Sequence, residues 1–137
     1  MRLAHVLVIS SLLFPSCSDD CFDCGGRSSN DPPRVWLAAG PPEGSTVDNP
    51  VHFYWGGWDS DGSVWGFEYQ LIPNPTGTFN PSDSVGVPWA PVGGTDSTFT
   101  AEPDSLNIAR SFTFFVRAFD NYGLRSLQPA YRTFRVR

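Results

Sequence analysis

Asp59-Ser60-Asp61-Gly62 is the segment whose residue types point most directly to chemistry. Two carboxylates two residues apart, followed by glycine, can hold Ca2+ in a tight loop, because a hard cation takes several oxygen ligands. The EF-hand pattern is incomplete: beyond Gly62 the next acid is Glu68, after an apolar run. The same residues also suit a strand connection, where Gly takes a left-handed backbone and Asp bonds its own main chain. That structural use is preferred, so no cofactor is expected beyond Ca2+ at Asp59 and Asp61. Aromatic residues offer a second chemistry. Tyr54, Trp58 and Trp65 could form a platform on which sugar rings stack; alternatively Trp55 and Trp65 belong to the core and Trp58 covers its end. A third group is Phe115, Arg117 and Phe119, which share one face of a strand. Tyr131 and Arg135 join them if the last strand pairs alongside, and Glu68 is placed to face Arg117 across the sheet. Aromatics and Arg are enriched at protein interfaces, so this is a candidate partner face; equally, it is a partner-free face held by cross-strand packing.

Catalysis is poorly provided for. The chain has two histidines, His5 and His52, and its nine basic residues are all arginine. His52 lies mid-strand, with no G-x-S-x-G elbow to complete a nucleophilic site. A phosphate-cradling Gly loop and H-E-x-x-H are both missing from the sequence. Asp59 and Asp61 could act as a glycosidase-type pair, but a sandwich this small rarely offers a substrate cleft. No enzymatic activity is expected.

The N-terminus reads as an address. Arg2 precedes an apolar run, Val6 to Phe14, that is too short to cross a bilayer, which needs about 20 apolar residues. The run ends at Phe14-Pro15-Ser16-Cys17, which resembles a bacterial lipoprotein signal, with Ser16 in the small position and Cys17 as the lipidated residue. Phe14 and Pro15 depart from that family's usual residues. The resemblance implies a signal peptide over 1–16 and lipidation at Cys17. By analogy with enterobacterial sorting, the absence of Asp at Ser18 implies the outer membrane; plain secretion, a periplasmic protein or an uncleaved anchor are the alternatives. Three cysteines in an exported chain leave one over, and lipidation of Cys17 leaves Cys21 and Cys24 as a local disulfide pair. Residues 17–32, polar and Gly-containing, form a flexible tether with a reach of roughly 20 Å.

The elements that must position these residues follow from composition. The 137 residues include 20 aromatics together with 13 Gly and 13 Pro, a mixture that suits short strands and tight turns rather than disorder. The net charge of -5 carries no basic stripe, which argues against nucleic acid. Apolar alternation predicts seven strands: Val35–Ala39, Val51–Trp55, Ser63–Ile72, a short edge strand Val85–Trp89, Ser97–Ala101, Ser111–Phe119 and Ala130–Val136. Val51, Phe53 and Trp55 should share one face; so should Trp65, Phe67, Tyr69 and Leu71, and likewise Phe112, Phe114, Val116 and Ala118. A helical turn over Asp104–Ala109 is the most helix expected.

Seven strands over residues 33–137 fit an all-β, antiparallel Ig-like sandwich, and four segments resemble a fibronectin type III domain. Trp55 sits at that family's core Trp. Gly62 to Tyr69 is similar to its G-x-I-x-G-Y run, and Leu106 followed by Phe112 matches the spacing of its L-x-P-G-x-x-Y motif. Val116 to Gly123 resembles its V-x-A-x-D-x-x-G ending. Phe112 stands in place of the corner tyrosine, and Ala109-Arg110 in place of Pro-Gly. The resemblance implies a non-enzymatic interaction, adhesion or spacer module of the bacterial cell envelope. Its partner is an envelope protein or glycan, and its membrane contact runs through the lipid alone. A carbohydrate-binding module built on Trp58 and its neighbours is the runner-up.

Overall fold

Strict alternation along β3 (Val51–Trp58) puts Val51, Phe53 and Trp55 inside and His52, Tyr54 and Trp58 outside. The computed structural model describes residues 29–75, 77–78, 84–102 and 110–137. The expected signal peptide, the three cysteines and the Asp104–Ala109 turn lie outside them. The other strands are β1 (Arg34–Ala39), β2 (Thr46–Val47), β4 (Val64–Pro73), β5 (Ala90–Val92), β6 (Asp96–Phe99), β7 (Arg110–Asp120) and β8 (Ala130–Val136). They form two sheets, β1-β3-β6 and β2-β8-β7-β4-β5, packed face to face as an Ig-like sandwich.

The core lies between them. Phe53 stacks on Phe114 at 4.2 Å, and Phe99 reaches the same ring at 4.9 Å. Trp55, Phe67, Phe112, Val116, Ala118, Phe134 and Val136 fill the remainder. The inward row expected on β7 is therefore present in full. Gly40 is bare for a packing reason: its φ is +150°, and a Cβ there would stand 2.6 Å from the Phe53 ring.

Three features correct the expected antiparallel set. An eighth strand, β2, pairs parallel with β8, so the larger sheet is mixed. Two residues carry no readable period, and the pairing is held by main-chain bonds such as Arg135 N–H to Ser45 O at 2.8 Å. The edge strand after β4 is Ala90–Val92 rather than Val85–Trp89. Pro91 is tolerated there because β5 closes the sheet at its edge. The Val87 carbonyl instead accepts from Gln70 Nε2 at 2.6 Å, which folds this stretch over the outside of the sheet. Finally, the register slips between Val64 and Gly66. This bulge leaves Val64 against the core and turns Trp65 outward, 74% exposed, so Trp65 does not share the face of Phe67.

Candidate functional site

The outer face of the three-stranded sheet carries a row of exposed rings. On β1, Val35 and Leu37 pack against the core, so Trp36 between them must point out. Trp36 pairs with Gly56, and its indole lies where a Gly56 side chain would stand, 2.6 Å from the ideal Cβ position. Tyr54 and Trp58 flank Gly56 on the same face. Trp36, Tyr54 and Trp58 are 48%, 47% and 55% exposed. Four residues of strand separate Tyr54 from Trp58, roughly 13 Å, with the Trp36 ring over the gap. A mid-strand glycine normally weakens a sheet. Here it lets a cross-strand aromatic lie low over the backbone.

Polar groups border the rings. His52 stacks on Tyr54 with centroids 4.5 Å apart. Its Nε2 donates to Asp96 Oδ2 at 3.0 Å, and its Nδ1 accepts from Thr98 Oγ1 at 2.9 Å. These contacts make His52 a fixed border residue of the ring row. At the other end Arg34 pairs with Trp58 and helps line a concavity of about 470 Å³ that also touches Asp31, Ser60 and Gln128. Of the expected sugar platform, Tyr54 and Trp58 are together and Trp65 is on the other sheet. Trp36 is the member that sequence reasoning missed; the Val-Trp-Leu alternation was its signal.

The candidate partner face behaves differently. Glu68 does face Arg117, with a bond from Arg117 Nε to Oε2 at 2.7 Å, and Arg125 Nε joins at 3.2 Å. The Arg117 guanidinium also sits 4.1 Å from the Trp89 ring centroid. Phe119 lies across Gly66, whose Cβ would stand 2.6 Å from the Phe119 ring, and Phe115 is only 2% exposed. The chain itself therefore covers Phe115, and of the expected contact residues Tyr131, at 44%, and Arg135 are the exposed ones. Phe115→Ser should cost about 3 kcal/mol or more in a denaturant titration, as loss of a buried ring does, instead of acting as a neutral surface change.

Burial alone would raise the Glu68 carboxyl, but hydrogen bonds from Arg125 and Arg117 outweigh it and hold it below the usual range. A depressed carboxyl stabilises the fold above its unfolded pKa, about 4.3 for Glu. That contribution disappears as pH falls through the lowered folded value. Glu68→Gln should therefore lower stability by about 2 kcal/mol at neutral pH. The gap from wild type should close below about pH 4 in acid melts; a gap unchanged with pH would contradict the pairing.

Asp59 and Asp61 lie together on the β3–β4 connection. Burial pushes the Asp59 carboxyl above its usual range, the nearby Asp61 amide opposes this, and the Asp61 and Asp120 carboxylates add to it. Among the described residues no three acidic, His or Cys side chains gather at one point.

No family model and no curated protein matches this chain. Among solved structures it is similar to the fibronectin(III)-like modules of Clostridium thermocellum CbhA, at 14% identity and a TM-score of 0.47, covering 77% of this chain and 45% of that one. It is also similar to the extracellular domain of a putative one-component system from B. thetaiotaomicron, at 13% identity and a TM-score of 0.43, covering 69% of this chain and 12% of that one. A third is the SrpA adhesin from Streptococcus sanguinis, at 20% identity and a TM-score of 0.41, covering 80% of this chain and 56% of that one. The chain spans about half or less of the length of these proteins.

Proposed function

We propose that this chain is a non-catalytic recognition module of the bacterial cell envelope that binds a polysaccharide across the outer face of its three-stranded sheet. The observation that carries this is the row Trp36, Tyr54 and Trp58, each about half exposed, with bare Gly56 beneath the central ring. A spacer alone has no use for three large aromatics left in water on one face. A pyranose offers an apolar C–H face and a rim of hydroxyls. The rings match the first, and Asp96, Thr98 and Arg34, with the first two held in place by His52, can serve the second. The N-terminal address supports the location: lipid on Cys17 and a tether shorter than the expected 17–32, because Asn30 and Asp31 bond the sandwich itself, would hold it off an outer membrane.

Fluorescence titration with a panel of soluble oligosaccharides tests the reading, since two of the three rings are tryptophans. At least one sugar class should quench or shift the emission saturably. Silence across the panel, together with capture of an envelope protein on the same face, would sink the glycan reading and leave a protein-adhesion module.

A further inference from the structure

The β3–β4 connection and the turn after β7 meet at one end of the sandwich, where Val64 pairs with Asp120 and Ser63 N–H bonds Asn121 Oδ1 at 3.4 Å. Asp120 there is satisfied: its Oδ1 accepts the Tyr122 and Leu124 amides at 2.8 Å each, and its Oδ2 accepts from Asn30 at 2.5 Å. Asp59 is not. It is 8% exposed, and neither carboxylate oxygen has a partner at hydrogen-bond geometry, the nearby Asp61 amide included. A buried carboxylate without a partner is costly, and native structures supply it with a donor or a cation.

Asp59 Oδ2 and Asn121 Oδ1 stand 2.8 and 2.9 Å from the point where a Gly62 Cβ would sit. Two oxygens from different segments thus border one small volume, kept open because residue 62 has no side chain. Asp61 borders the same connection, with its Oδ2 taking the Asp31 amide at 2.9 Å. We propose that this end of the sandwich binds Ca2+, with the Asp59 and Asp61 carboxylates and Asn121 Oδ1 as side-chain ligands and water completing the shell. Ca2+ accepts an irregular set of six to eight oxygens, whereas Mg2+ demands near-octahedral geometry and sheds its water reluctantly. Two charges and one amide oxygen make a weak site, with a Kd of about 10⁻⁴–10⁻³ M, the range of extracellular modules. The site adjoins the Trp58 end of the ring row, but its ligands are not members of that row.

The test is a thermal melt of the full chain after EGTA treatment, with Ca2+ or Mg2+ added back to about 10 mM, well above the expected Kd. Ca2+ should raise the midpoint by roughly 5–15 °C, reversibly with EGTA, and Mg2+ should not. Asp59→Asn should raise the midpoint of the metal-free protein, because it removes the unpaired charge, and should abolish the Ca2+ response. Asn121→Ala, on an exposed turn, should weaken that response and keeps the test open if Asp59→Asn fails to fold. No rise with Ca2+ in the wild type, an equal rise with Mg2+, or an undiminished rise in these variants overturns the site.

Discussion

Phe114→Ala should lower the stability of the sandwich by about 3–5 kcal/mol, in a domain whose total is typically about 5–15. Phe114 has no exposed surface and lies on β7, the strand between β8 and β4. Its ring stacks on Phe53 at 4.2 Å, approaches Phe99 at 4.9 Å, and lies 6.0 Å from Trp55. All three belong to the other sheet, so one truncation opens a cavity at the contact between the layers. Rigid aromatic neighbours cannot easily collapse into such a space, which places the cost toward the upper end. Urea titration reads it directly as a lower midpoint at similar slope. A loss of less than about 1 kcal/mol would mean that the two layers do not meet at this ring.

The second large effect concerns recognition. Trp36→Ala and Trp58→Ala should each weaken glycan affinity by about tenfold or more, or about 1.4 kcal/mol, as truncation of a central aromatic contact does. Neither residue belongs to the core cluster, so the fold should survive both changes. Trp36 carries a secondary cost because it covers Gly56, and a small fall in midpoint is expected from that loss. Trp65→Ala is the matched control: it removes an exposed indole from the other sheet and should leave binding intact.

Much of the sandwich was legible because alternation is local. The inward rows of β3 and β7 follow from counting by two, and the Glu68–Arg117 pair from the register that alternation imposes. What was not legible depends on contacts distant in sequence. β2 exists only because β8 lies beside it, and two residues hold no pattern. The bulge after Val64 reverses the side-chain phase of β4, which turned Trp65 from an inward expectation into an outward residue. Whether a partner or the chain itself covers Phe115 was not legible, because alternation assigns faces but does not show what folds over them. Glycines 56 and 66 are each paired with the aromatic that lies across it, Trp36 and Phe119. The ring row was therefore visible in part: Tyr54 and Trp58 stand on one strand, and their third member comes from β1.

Binding of one oligosaccharide, measured by isothermal titration to wild type and to the Trp36→Ala, Trp58→Ala double variant, tests the central claim most directly. Matched thermal melts must show that both proteins are folded. Saturable binding by wild type that falls at least about a hundredfold in the double variant is the expected result, two tenfold losses combined. Equal affinity in the two folded proteins would contradict recognition through this face.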